Sequence, residues 1–130
     1  MTWTQANMRT DVTDAAVEGG LSPDVEARFA RTDLGAERIG VSYQSLAPGV
    51  RQSFGHRHGQ DEEVYVVVAG SGRVKVDNDL VLLDEWDAIR VAPETMRCFE
   101  AGEKGMTFLA FGMHTDDDVE LHPGWWAEDD

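Results

Sequence analysis

Nowhere in this chain do apolar residues keep a helical period beyond a turn or two. Short β-branched and aromatic runs recur instead at intervals of about eight to twelve residues, with Gly, Pro, Asn and Asp between them. Runs too short to be core helices can bury their side chains only by pairing as strands, so the pattern implies an all-β sandwich or barrel. Val25, Ala27 and Phe29 alternate with polar neighbours over residues 24–30, which suits a half-buried strand, although periodicity alone also admits a short helix. Leu34-Gly35-Ala36 reads as a turn. Residues 39–46 form a second strand, with Ile39, Val41 and Tyr43 on one face, ended by Ala47-Pro48-Gly49.

Val64-Tyr65-Val66-Val67-Val68 reads as a buried strand closed by a Gly70-Ser71-Gly72 turn. Residues 73–76 and 80–83 make a hairpin around Asp77-Asn78-Asp79. Ala88-Ile89-Arg90-Val91, a turn at Ala92-Pro93-Glu94-Thr95, a strand over 97–101, a turn over 102–105 and a strand over 106–111 follow. The 130 residues suit one domain. A barrel over residues 24–114 is expected, with an N-terminal arm over 1–23 and an acidic tail over 115–130. The arm carries at most one helical turn before Gly19-Gly20, and in a monomer it would fray, although Trp3 and Met8 could cover a partner or the barrel mouth. In the tail, His122-Pro123-Gly124-Trp125-Trp126 is apolar enough to pack on the barrel or on another subunit.

A formal charge of −14 with only 11 basic residues argues against nucleic acid and anionic membranes as partners, because both are gripped by basic side chains. Cys98 is the single cysteine and has no internal disulfide partner. With no leader-like pattern and no stretch near the roughly 20 apolar residues of a membrane span, a cytoplasmic protein is the expectation.

One stretch carries chemistry. His56 and His58, one residue apart, project from the same face of a strand, and Glu63 enters at the head of the next one, on the face of Tyr65 and Val67. Glu62 lies one step earlier, in the loop. A lone His-X-His is more often a pair of surface histidines, and Glu62-Glu63 alone would be a solvated pair. Together with Gly70 at a fixed distance they resemble the first motif of the cupin family: Gly, His-X-His, three or four residues, Glu, six residues, Gly. Six residues separate Gly49 from His56, where that family usually has five.

The resemblance covers about residues 39–111 and implies a double-stranded β-helix, or jelly-roll, barrel. It also implies a divalent metal (Fe, Mn, Ni or Zn) on His56, His58 and Glu63, and pairing into a homodimer that exchanges the strand at 24–30. The family's second motif is degenerate: over residues 86–99 neither of its glycines nor its ligating histidine is present. One register places Arg97 at the histidine position and agrees with three residue types; the other, anchored on Pro93, places Cys98 there. A guanidinium cannot ligate a cation but can clamp a carboxylate, whereas a thiolate is a soft ligand. Arg97 is the preferred occupant, and His114, Cys98 and Glu62 remain alternative ligands.

The chemistry so implied is a small metal-dependent oxygenase or isomerase in which Arg97 orients an anionic small molecule and Tyr65 or Tyr43 lines the pocket. The alternative is a non-catalytic binding or sensing barrel with a vestigial metal site, the cation lost and Arg97 occupying its space in a pair with Glu63. A weaker third reading is an assembly protein with an acidic surface. The sequence does not decide whether the protein is an enzyme.

Overall fold

The computed structural model describes residues 2–127; residue 1 of the expected arm and residues 128–130 of the expected tail lie outside the described residues. Two one-turn helices, α1 (Ala15–Glu18) and α2 (Arg31–Leu34), accompany eight strands: β1 (Val25–Phe29), β2 (Ile39–Leu46), β3 (Phe54–His58), β4 (Glu63–Val76), β5 (Asp79–Leu83), β6 (Ala88–Val91), β7 (Arg97–Met113) and β8 (Val119–Pro123). All strand pairs are antiparallel, in the order β1-β2-β7-β3-β8, with β4 joined to β5, β6 and β7. The sheet curls on itself into a jelly-roll barrel.

The spine is the pair β4 and β7. The first half of β4 lies against residues 106–112 of β7 and the second half against residues 97–101, so each strand passes through both layers. Here the structure corrects the sequence reading: Gly70-Ser71-Gly72 and residues 102–105 are not turns, and both strands run on through them. The glycines serve a shared bend. Gly70 sits at φ +74, and a Cβ there would stand 2.1 Å from the carbonyl oxygen of Gly105. The ladder shifts register between Val67 and Ala69 and again between Gly70 and Gly72, as β-bulges allow.

Inward-facing residues of these two strands make the core. Tyr65, Phe99 and Phe108 form an aromatic cluster with ring centroids 4.6–5.9 Å apart, surrounded by Leu46, Val67, Val74, Leu83, Val91 and Met106. The 24–30 segment resolves as the strand β1. The hairpin of β4 and β5 turns through Asp77-Asn78, with Val76 opposite Asp79 and Asp77 at φ +50.

Two elements carried no recognised signal. Helix α2 follows β1 directly and ends at Gly35 in the left-handed conformation. Strand β8 pairs with all five residues of β3. Its Val119 and Leu121 alternate with Glu120 and His122 in strand fashion, but Pro123 and the preceding aspartates mask the pattern. The N-terminal segment is also less free than its polarity suggests. Val12 and Ala16 are buried, and Asp14 Oδ1 accepts from Ala16 N at 3.0 Å and Ala27 N at 2.9 Å, tying α1 to β1. Trp3 stays exposed. No helix among the described residues is long and apolar enough to cross a membrane.

Candidate metal centre

Alternation along β3 sends His56 and His58 into the barrel and Gly55 and Arg57 outward. Gly55 is required on the outer face: a Cβ there would stand 2.8 Å from the Trp125 ring. Glu63, the first residue of β4, shares its inward face with Tyr65 and Val67, as the sequence implies. Opposite it on β7 is Gly112, where a Cβ would meet Glu63 Cγ at 3.0 Å, so a bare backbone leaves the carboxylate its space.

Four groups converge on one oxygen. Glu63 Oε1 lies 3.3 Å from His56 Nε2, 3.1 Å from His58 Nε2 and 3.2 Å from Arg97 Nη1, and it also accepts the Tyr65 hydroxyl. A carboxylate oxygen has two lone pairs, so four neighbours cannot all bond it at full strength. The two imidazole nitrogens and the carboxylate lie within 4.8 Å of one another. A divalent cation drawn between them would take the nitrogen lone pairs and this oxygen together, and the donor set of two histidines and one carboxylate fits such an ion.

The electrostatics agree with that fit. Burial pushes His56 below the ordinary histidine value, outweighing the pull of Glu63, and Arg97 and His58 add to the depression; its ring is neutral near pH 7 and offers a lone pair. Burial alone would raise Glu63, yet hydrogen bonds from His56, His58 and Tyr65 hold it well below the usual carboxylate range. Tyr65 is pushed well above its ordinary value by burial first and by the Glu63 charge second, so its hydroxyl remains a donor.

Arg97 stands opposite His56 across β3 and β7 and is 0 % exposed. Its Nη2 donates to the Ala92 carbonyl at 2.7 Å, Nη1 faces Glu63, and Nε has no hydrogen-bond partner. Arg97, the preferred occupant of the fourth position, therefore faces the same carboxylate oxygen as the two histidines. Its expected role as a ligand clamp does not follow, because it sits behind Glu63 and does not line the cavity.

That cavity, about 720 Å³, runs from the histidines to the barrel mouth. Val25, Phe29, Val41, Phe54 and Leu121 wall it, with Ser42, Gln44 and Gln52 as an inner polar row. Tyr65 lines it. Tyr43 does not: it points to the opposite face of β2, where the Arg9 guanidinium lies 5.4 Å from its ring.

The alternative ligands are also placed elsewhere. Glu62 is exposed and pairs with Arg90 at 2.9 Å, and His114 sits at the rim with Asp116 at 2.7 Å. Cys98 faces away from the histidines, its Sγ donating to the Gln52 carbonyl at 3.4 Å. Burial raises its thiol from 9.0 to about 11. Below pH 9 the thiol is protonated whether folded or not, so stability is unaffected there. Between pH 9 and 11 the unfolded chain ionises first, and stability falls by up to about 2–3 kcal/mol. Denaturant titrations at pH 8 and pH 11 should show this loss, and Cys98→Ala should remove it.

Sequence reasoning missed two buried carboxylates. Asp61 is 5 % exposed and accepts Thr115 N and Oγ1 at 3.0 and 2.9 Å. Asp118 Oδ2 stands 3.4 Å from His58 Nδ1. Both sit in acid-rich loops whose composition signals only solvation.

No protein-family model matches the chain, and no curated protein does. Solved structures do. A cupin protein from Bacteroides fragilis superposes with a TM-score of 0.71 at 21 % identity, over 90 % of this chain and 88 % of its own. The chain has the cupin fold. Within larger cupins the match is to one part: 95 % of this chain covers 34 % of a B. subtilis oxalate decarboxylase variant (TM-score 0.73, 20 % identity). Similarly, 82 % of it covers 34 % of a salicylate 1,2-dioxygenase from Pseudaminobacter salicylatoxidans (TM-score 0.64, 14 % identity).

Proposed function

We propose that this cupin holds a divalent cation on His56 Nε2, His58 Nε2 and Glu63, and binds a small molecule in the cavity beside it. The observation that carries the reading is the approach of those three ligand atoms to within 4.8 Å at a cavity wall. Fe, Mn, Ni and Zn all accept such donors, and the bound ion would supply Lewis-acid or redox chemistry. The remaining work belongs to the chain. Tyr65 and Arg97 hold Glu63 in place, the apolar walls offer contact to a ligand's apolar body, and Gln44 and Ser42, hydrogen-bonded to each other at 3.0 Å, offer polar contacts to a ligand.

With Arg97 hidden, a ligand's anionic group would be drawn to the cation, while its apolar body lies against Phe29, Val41 and Phe54. Two structural relatives are named for small carboxylates, salicylate and oxalate, which supports an anionic ligand. Oxygenation and isomerisation are both compatible with three protein ligands that leave positions open.

One observation favours a second reading. Arg97 already places positive charge 3.2 Å from Glu63, as a substitute for the cation would, and a barrel so neutralised would bind small molecules without catalysis. Metal analysis separates the two. Protein purified without added metal or chelator should carry close to one equivalent of cation, lost in His56→Ala. Protein that is metal-free and takes up neither cobalt nor zinc is the vestigial barrel.

A further inference from the structure

We propose that Asp118 is a positioning residue for His58, its carboxylate selecting the tautomer and ring orientation that leave Nε2 free to face Glu63 and the cation. This deepens the metal-binding reading above and takes its functional meaning from it. His58 Nδ1 is buried and makes no hydrogen bond, and Asp118 Oδ2 faces it at 3.4 Å. A neutral imidazole carries one proton on one of its two nitrogens. In the metal-free protein Glu63 Oε1, 3.1 Å from Nε2, competes for that proton; the fixed carboxylate beside Nδ1 pulls it the other way, and a cation taking the Nε2 lone pair would complete the shift.

The carboxylate is built in. Although Asp118 belongs to a run of three aspartates, its side chain is 6 % exposed, against 90 % for Asp116. Its oxygens accept the backbone N–H groups of Gly59, Gln60 and Asp61, the three residues that follow His58, at 3.0–3.2 Å. Gly59 admits it: a Cβ there would stand 2.9 Å from Asp118 Oδ1. Asp61 reciprocates by accepting from Thr115, so the histidine loop and the C-terminal segment hold each other through two carboxylates. Further along, β8 covers β3, and buried Trp126 lies under Arg51 and Arg73, with guanidinium carbons 4.1 and 5.0 Å from its ring. Residues 115–127 therefore act as a strap that fixes the strand carrying both histidines, with Asp118 as the point at which it reaches the site.

The test uses the full chain labelled at histidine nitrogen. Long-range proton–nitrogen NMR of the metal-free protein reads the His58 tautomer, and cobalt(II) titration against a competing chelator reads affinity. Asp118→Asn keeps an oxygen for the backbone amides but removes the charge; Gly59→Ala keeps the charge but displaces it. Wild type should show a larger share of the Nδ1–H tautomer than Asp118→Asn, in which Glu63 draws the proton to Nε2; cobalt should bind Asp118→Asn about 10–100-fold more weakly, and Gly59→Ala should show a smaller loss. An unchanged His58 tautomer in Asp118→Asn, or equal cobalt affinity in all three proteins, overturns the proposal. If wild type binds no cobalt yet its share of the Nδ1–H tautomer falls in Asp118→Asn, the positioning role stands and the metal reading falls. Should Asp118→Asn fail to fold, Gly59→Ala decides by the same two readouts.

Discussion

Glu63→Ala is expected to lower the stability of the metal-free protein by about 3–5 kcal/mol, or about 10–20 °C in Tm. The cause is the group it leaves behind. Arg97 is completely buried, its Nε is unpartnered, and without Glu63 only neutral partners, the Ala92 carbonyl and the Tyr65 hydroxyl, would remain to it. Breaking a buried ion pair from one side strands a charge in a low-dielectric interior, which costs more than the pair contributes when intact. The double variant Glu63→Ala with Arg97→Met should therefore recover most of the loss, since no charge is stranded and the methionine fills much of the volume. Chemical denaturation of the four proteins completes the cycle. A single-variant cost under about 1 kcal/mol would show that the pair does not hold this end of the barrel. Arg97→Met alone should also bind a divalent cation at least about tenfold more tightly, because a positive charge 3.2 Å from the ligand oxygen repels the incoming ion.

Gly70→Ala should leave little folded protein at 37 °C, with a stability loss of about 3–5 kcal/mol. Two costs add. The left-handed conformation at φ +74 disfavours any Cβ by about 1–2 kcal/mol. In addition, the new atom would stand 2.1 Å from the Gly105 carbonyl oxygen, which belongs to the strand paired with it and cannot retreat without opening the β4–β7 ladder. Gly35→Ala is the control: it has φ +65 but no atom within 4 Å of the added Cβ, so only the conformational cost applies. Thermal melts of both variants measure the difference. Equal effects would mean that the strand crossing tolerates a side chain.

Much of the barrel could be read from the chain because half-buried strands write their face into the sequence. Val25 to Phe29 and Ala88 to Val91 alternate or cluster in that way, and His56, His58 and Glu63, singled out by the resemblance of their spacing to the cupin motif, do come together. The failures have two physical sources. Glycine frees the backbone for a turn and equally for a bend in a continuous strand, and only the partner strand decides, as Gly70 against Gly105 shows. Burial of a charged residue depends on what folds over it. Asp118 stands beside Asp116 and Asp117, yet it alone faces His58, and nothing in a run of acids marks which one meets a donor. Tyr43 failed by one position on β2: the cavity face belongs to Ser42 and Gln44. Arg97 was placed by residue-type agreement, but whether its guanidinium meets a ligand or a buried carboxylate is a matter of depth that register does not encode.

The most direct measurement is an anomalous-scattering crystal structure of the protein as purified, collected at the absorption edges of iron, manganese, nickel and zinc. A peak within about 2.0–2.2 Å of His56 Nε2, His58 Nε2 and a Glu63 oxygen, with Arg97 withdrawn from that oxygen, is the predicted result. Absence of a peak there after soaking in each metal, with Arg97 still bonded to Glu63, would contradict it.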